Sequence, residues 1–430
     1  MPGLARIPLS MTAPALTIQE AAARKRSARR GWSVVAGAFG VMVAGFGCTY
    51  AFSAFFIPLQ EAFAASRAAL SWAFSIAVFL YFVLGAVSGP LADRLGPRGM
   101  TLAGLAVIGI GFAVASRAEA LWQVYAGYSL GIGIGVGLSY VPAVGAVQRW
   151  FVAKRGLASG IAVSGIGVGT LVMPKVAEWL IDAFSWRGAF LILGLFAIVG
   201  GGAAALLIDG APERHGMLPD GGVSDASRAA SPPAEGMTLS ETVRSTAFRM
   251  LYAAWFLVSV GLFIPFVHLV PFAEDQGIAH GTAVTLVALV GLGSTLGRFF
   301  LGGVADRLGR RQSLAGMYLG LALMMVWWFF SREAWQLAIF AVVYGTFYGG
   351  FVALAPALLV DYFGPRNASG IIGFAYTGVA VGSLLGPAAA GYAFDLAQSY
   401  ALPIAGSAGF TFLAALLVWI APEPRPRRGL

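Results

Sequence analysis

One residue type in an unusual place opens the chemistry of this 430-residue chain: Arg298, in the run Gly291-Leu-Gly-Ser-Thr-Leu-Gly-Arg298-Phe-Phe-Leu-Gly302, sits inside an apolar stretch. A guanidinium does not deprotonate, and a charge near a bilayer centre costs at least ~2.5–3.5 kcal/mol on insertion scales. Its planar fork suits a carboxylate held through two parallel hydrogen bonds, so Arg298 is a candidate clamp for an organic anion. The alternative is an arginine that caps backbone carbonyls of a broken helix. Tyrosines hydrogen-bond a small anion from an apolar wall, and Tyr50, Tyr140, Tyr344, Tyr348 and Tyr376 stand in comparable stretches. Any of them can equally be a packing or interfacial residue. His268, in Phe263-Ile-Pro-Phe-Val-His268-Leu-Val-Pro271, is a candidate proton carrier, or else a partner for a kinked backbone. Lys175 has Glu178 one turn later, which reads as a snorkelling pair or an outer gate.

The elements that carry these residues follow from composition. Hydrophobic residues make up 58% of the chain and charged ones 11%, against roughly a quarter charged in soluble domains. Such a chain is an integral membrane protein. A spanning helix takes about 20 apolar residues. Twelve such runs are present, at 33–57, 69–91, 99–116, 121–147, 157–181, 187–208, 247–272, 281–305, 312–330, 335–360, 369–393 and 400–421. The expected organisation is a cytoplasmic tail (1–30), a six-helix bundle (31–208), a flexible Pro/Ser/Ala/Gly-rich linker (209–246), a second six-helix bundle (247–421) and a tail (422–430). With both termini cytoplasmic, 22 of the 28 Lys and Arg residues fall on the cytoplasmic side and four outside; Lys175 and Arg298 remain within spans. The net charge of +9 therefore reports topology in a cell (inner or plasma) membrane, not a nucleic-acid partner. A single cysteine, Cys48, and three scattered histidines (His215, His268, His280) argue against a disulfide framework or a metal site. No cofactor is expected. Gly131-Ile-Gly-Ile-Gly-Val-Gly137 mimics a dinucleotide loop but lies within a long apolar run, where close helix packing explains it.

The halves repeat. Gly89-Pro-Leu-Ala-Asp93-Arg94-Leu-Gly-Pro-Arg98 recurs 213 residues later as Gly302-Gly-Val-Ala-Asp306-Arg307-Leu-Gly-Arg310-Arg311, and Val168-Gly169 with Pro174 recurs as Val381-Gly382 with Pro387. A six-span unit used twice implies two bundles around a central path, with substrate at the midplane and access alternating as the bundles rock. The loop pattern G-x-x-x-D-R-x-G-x-R resembles the signature of the major facilitator superfamily. That likeness covers nearly the whole chain and implies an all-α fold of twelve membrane helices in two pseudo-symmetric bundles, working as a monomeric transport unit. Asp93, Arg94, Arg98, Asp306, Arg307 and Arg310, with Arg149, Arg155 and Asp361, are candidate gating charges at the cytoplasmic helix ends, or simple topology markers.

A narrower resemblance is carried by Gly31-Trp-Ser-Val-Val-Ala-Gly-Ala-Phe39 with Thr49-Tyr-Ala-Phe52, by Gln148-Arg-Trp-Phe151 with Lys154-Arg-Gly-Leu-Ala158, and by Gly297-Arg298 with Gly302. These are similar to the monocarboxylate transporter family, and the bacterial oxalate/formate exchangers share much of the pattern. The resemblance implies a small organic monocarboxylate such as a lactate- or pyruvate-like acid, proton coupling, and a substrate-site role for Tyr50 and Tyr348; an organic-anion exchanger or a drug-like compound exporter are the alternatives. The chain departs from both families, with Ala54 and Ser294 where the animal transporters carry a lysine and an aspartate, and an uncharged Phe374–Val381 where the exchangers carry a cation. These absences count against a proton relay and against a dicarboxylate.

Overall fold

The computed structural model describes residues 18–151, 154–215, 217, 219, 236–364 and 366–422. Among them every regular element is helical, and eleven segments are long and apolar enough to cross a membrane. One of the eleven, Arg155–Leu206, has 52 residues. At 1.5 Å per residue it would be about 78 Å long, more than twice a hydrocarbon core. Ser185 resolves this, with φ 62° and ψ 168°: the chain turns there, and the segment crosses twice. The crossings therefore number twelve, as the hydropathy predicts.

The spans are Arg26–Phe63 (span 1), Arg67–Leu95 (span 2), Pro97–Ser116 (span 3), Leu121–Trp150 (span 4), Arg155–Leu206 on either side of Ser185 (spans 5 and 6), and Thr246–Asp275 (span 7). His280–Leu308, Arg310–Phe330, Ala334–Phe363, Ala368–Ala397 and Ala401–Ile420 are spans 8 to 12.

The repeat visible in sequence is also a repeat of backbone conformation. Gly96 and Gly309, which end spans 2 and 8, both take φ +88°, with ψ 135° and 143°. A side chain is strained in that region, so the glycine that closes each Ala-Asp-Arg-Leu-Gly run is the residue that lets the chain turn. Two further left-handed pairs stand at the same offset of 213: Ala64 (φ 46°) with Gly277 (φ 79°), and Ser185 with Gln398 (φ 52°). Spans 1 and 7 are each interrupted near mid-membrane, at Ala51 and Phe263. The hydropathy gave no sign of those interruptions, because the apolar run passes through them unchanged. The result is two pseudo-symmetric six-helix bundles around a central cavity.

Spans 8 and 10 make the closest crossing near Arg298. A Cβ on Gly293 would lie 2.0 Å from the Val342 carbonyl oxygen, and one on Gly297 1.9 Å from that of Thr346. Small residues let the two backbones touch, which is how membrane helices pack where no hydrophobic force separates them from lipid.

Parts of the expected tail and linker are structured. The first helix starts at Ile18, extending the Ala-, Arg- and Lys-rich segment before span 1. After span 6, Asp209 accepts from Arg30 (3.0 Å) and bonds His215 (2.7 Å), while Trp150 Nε1 donates to its carbonyl (3.1 Å). Before span 7, Thr238 and Glu241 form a reciprocal capping box on the helix Leu239–Arg244. Residues 1–17, most of 216–235 and 423–430 lie outside the described residues.

Two outcomes follow. Gly293→Ala forces backbone apart from backbone and is expected to cost ~1–3 kcal/mol, a shift of several degrees in thermal unfolding followed by tryptophan fluorescence in detergent; Gly406→Ala, where nothing lies within 4 Å, leaves the midpoint unchanged. Burial raises the Asp209 carboxyl, but His215 and Arg30 outweigh it and hold it below the ordinary carboxylate range. The contribution is thus present above the unfolded pKa near 4 and lost as pH falls through the lower folded value, so Asp209→Asn flattens the acid limb of a stability-versus-pH titration.

Candidate functional site

Arg298 is 8% exposed and lies on span 8 where it crosses span 10. Its Nη1 donates to the Ser294 hydroxyl at 2.5 Å, with the Ser294 carbonyl at 3.5 Å, which fixes one arm of the fork against its own helix. The other edge is different. Nε and Nη2 are buried and have no hydrogen-bond partner, and no ion pair reaches Arg298 among the described residues. Those two N–H groups point the same way, the side-on arrangement that accepts both oxygens of one carboxylate. Ser294 stands where a pairing carboxylate would be expected by resemblance, and a hydroxyl orients the guanidinium without neutralising it.

Tyrosines stand close to this guanidinium. Tyr348 presents its ring 5.8 Å from the guanidinium carbon, and its hydroxyl shares a 3.0 Å hydrogen bond with that of Tyr50. Because Tyr50 belongs to span 1 and Tyr348 to span 10, this bond bridges the halves at the level of the break after Tyr50. Tyr50 and Tyr140 also lie within electrostatic reach of Arg298. A small cavity of about 40 Å³ is walled by Phe46, Tyr81, Tyr140, Trp255, Tyr348 and Tyr376, among other apolar residues. Tyr376 stacks on Phe82 at 5.3 Å, and Phe46 meets Tyr140 edge-on at 5.3 Å. Four of the five tyrosines singled out from sequence therefore converge. Tyr344 does not: its hydroxyl donates to the Leu262 carbonyl at 2.8 Å, beside the break in span 7. Sequence reasoning passed over Tyr81 and Trp255, and noted Ser294 only as a departure from the family pattern. Tyr81 is 4% exposed within span 2, and its position in an otherwise apolar run is the same signal that marked Tyr50.

His268 is fully buried, away from this cavity, in a network on the face opposite the Ala-Asp-Arg-Leu-Gly loops. The Pro387 carbonyl, 2.9 Å from Nε2, can only accept, so Nε2 carries the proton and Nδ1 accepts from the Tyr400 hydroxyl at 3.0 Å. Tyr400 in turn accepts from Arg67 Nη1 at 2.9 Å. Arg67, on span 2, grips Asp275 of span 7 through two bonds of 2.6 and 2.7 Å, and Asp395 of span 11 accepts from the backbone N–H groups of Arg67 and Ala68 (3.1 and 3.0 Å). That closes the far face between the halves. Lys175 contributes on the other flank: its Nζ pairs with Glu178 and donates to the Gly281 carbonyl of span 8 at 3.1 Å.

At the loop face, Arg310 pairs with Asp361 at 2.6 Å, Arg98 Nε donates to the Ile208 carbonyl at 2.8 Å, and Arg155 Nε donates to that of Phe151 at 3.1 Å. Each of these bonds stays within its own half. Arg94 and Arg307 are exposed and Arg149 is partly buried. The side chains of Asp93 and Asp306 lie outside the described residues.

Two bundles related by pseudo-symmetry, broken helices at the midplane and a polar centre in an apolar cavity define a multi-pass membrane transporter, not an enzyme. The major facilitator superfamily model matches residues 37–330 and 251–430, and the chain belongs to that family. It is 29% identical over 412 residues to monocarboxylate transporter 12-B of Danio rerio, covering 90% of this chain and 86% of that one. It is 30% identical over 374 residues to human monocarboxylate transporter 11, covering 85% and 77%. An aspyridones efflux protein of Emericella nidulans is 28% identical over 370 residues, covering 83% and 70%. Among solved structures, a D-xylose-proton symporter superposes with a TM-score of 0.70 at 16% identity, over 93% of this chain and 99% of that one. The fold is thus that of the superfamily, in a chain related to monocarboxylate transporters.

The two span 10 tyrosines separate cleanly. Tyr344→Phe removes one buried hydrogen bond and is expected to lower stability by ~1 kcal/mol in detergent unfolding. Tyr348→Phe removes a buried bond of the same kind, to Tyr50, and is expected to cost about as much, but it also deletes the hydroxyl beside Arg298, so it alone is expected to raise the KM for transported substrate several-fold.

Proposed function

We propose that the protein is a secondary transporter of a small organic monocarboxylate, of the lactate or pyruvate kind, working by alternating access. The observation that carries this reading is the unpartnered Nε–Nη2 edge of Arg298, a buried guanidinium beside Tyr348, which lines a cavity between the halves. A buried guanidinium with two idle donors is costly, and a single carboxylate removes that cost by supplying charge and both acceptors. Tyr348, Tyr50, Tyr140, Tyr376 and Tyr81 would then shape the cavity around the acid's short body. The names of the monocarboxylate transporter relatives support the same class.

The loop face is assigned to the cytoplasm, with both termini there, on the excess of cations on that side. For coupling, two readings remain. With His268 held in the far-face network, a transported proton travels on the substrate itself as the neutral acid reforms on release. Exchange of one organic anion for another is favoured by a different observation: no carboxylate or histidine lines the cavity among the described residues. Export of a bulkier apolar compound, as the name of the Emericella nidulans relative would suggest, leaves the idle edge of Arg298 unexplained.

Purified protein in liposomes with labelled lactate or pyruvate tests the assignment. Arg298→Gln is expected to reduce uptake by about 100-fold, the equivalent of one charge-assisted pair, and Arg298→Lys to recover little of it because the two-pronged geometry is gone. Wild-type rates in Arg298→Gln would sink the clamp. Uptake that depends on an inward proton gradient selects symport, while uptake that needs internal anion and ignores the gradient selects exchange.

A further inference from the structure

The far face contains a second receptor for charge, of the opposite sign to Arg298. Its parts all come from the last six spans: the Asp275 carboxylate on span 7, the Phe394 ring on span 11 and the Tyr400 hydroxyl at the start of span 12. Its present occupant is Arg67 of span 2. The Arg67 guanidinium makes two bonds to Asp275, one to Tyr400, and lies 3.9 Å from the centroid of the Phe394 ring. A carboxylate, an aromatic face and a hydroxyl form a complete recognition set for a guanidinium or ammonium.

That occupant arrives from the other half of the molecule. Any motion that parts the halves at the far face withdraws Arg67 and leaves the receptor intact but empty. The receptor also has an open side. A pocket of about 410 Å³, in the range that binds small molecules, is walled by Phe272, Asp275, Phe329, Arg332, Phe394 and Tyr400. Three of those six residues are the ones that hold Arg67, and the Asp275 side chain remains 33% exposed while paired. A ligand seated in the pocket thus touches the latch from behind.

We propose that this pocket binds an organic cation, a guanidinium or primary ammonium with a short apolar body, which takes Asp275 from Arg67 and so favours the state in which the far face is open. The aromatic walls from Phe272, Phe329 and Phe394 receive the apolar body. Arg332, in the same wall, repels a second positive charge, so the site accepts monocations and disfavours dications. The carboxylate-binding centre around Arg298 is a different site with the opposite preference, and the proposal does not depend on which acid that centre takes.

Butylguanidinium is the probe, with butylurea as its neutral isostere. Titrated calorimetrically into the purified full-length protein, butylguanidinium is expected to bind saturably and butylurea at least 10-fold more weakly. Arg67→Ala, which vacates the receptor, strengthens butylguanidinium binding at least 10-fold, and Asp275→Asn abolishes it. A readout on the wild type alone covers the case in which either variant fails to fold. Saturating butylguanidinium should speed hydrogen exchange at the Arg67 and Ala68 amides, which now donate to Asp395. No saturable binding to wild type, equal affinity for butylurea, or saturable binding with unchanged exchange at those amides would each overturn the proposal.

Discussion

The interaction on which the rest depends is one that the protein by itself leaves incomplete: a guanidinium in a low-dielectric interior with half of its donors idle. An isolated ion there is penalised by several kcal/mol even after relaxation, and membrane proteins avoid the arrangement unless it has a use. The surroundings of Arg298 keep it both tolerable and available. Ser294 occupies one arm with a neutral oxygen, and the tyrosine cluster supplies dipoles without a compensating charge. An aspartate in place of Ser294 would neutralise the fork, which a hydroxyl leaves charged. The close crossing of spans 8 and 10 then sets how near Arg298 lies to Tyr348, because Gly293 and Gly297 admit the backbone of span 10.

The architecture around that centre was largely legible in the sequence. Spanning length and hydropathy report how many helices cross, and the 213-residue repeat reports that six of them recur. The repeat reaches further than the letters show. Ser185 and Gln398 share no side-chain chemistry, yet both take left-handed backbone at the same turn in each half. Conservation of shape without conservation of residue type is invisible to a letter-by-letter reading. The interruptions at Ala51 and Phe263 are hidden for a related reason: hydropathy measures what a segment buries, not whether its helix is continuous.

The site was legible where it consisted of a charge and much less so where it consisted of a partnership. Arg298 declares itself by being charged in an apolar run. A tyrosine does not declare whether its hydroxyl faces a cavity or a carbonyl. Tyr344 and Tyr348 are four residues apart on one helix and share a face, but the break in span 7 offers Tyr344 the Leu262 carbonyl while Tyr348 meets Tyr50. His268 reads from sequence as a proton carrier or a partner for kinked backbone, and the contacts it makes, a carbonyl of span 11 and a hydroxyl of span 12, come from segments over a hundred residues away. Arg67 looks like an ordinary boundary cation until Asp275, 208 residues away in sequence, closes on it.

Arg67 and Arg298 solve the same electrostatic problem in opposite ways. Arg67 finds its carboxylate in the other half of the protein, so its pairing is complete only while the far face is shut. Arg298 has no such partner, so its pairing is complete only when something else brings a carboxylate. One charge therefore stabilises a conformation, and under the proposed function the other stabilises an occupied site. Alternating access requires both kinds of term, because a carrier that favoured one face by too much would stall there whatever it had bound. Among the described residues of the loop face, Arg98, Arg155 and Arg310 bond within their own halves, and an exposed pair such as Arg310–Asp361 contributes at most about 1 kcal/mol. The charged contacts that join the two halves among the described residues are thus those of the far face, around Arg67 and at Lys175.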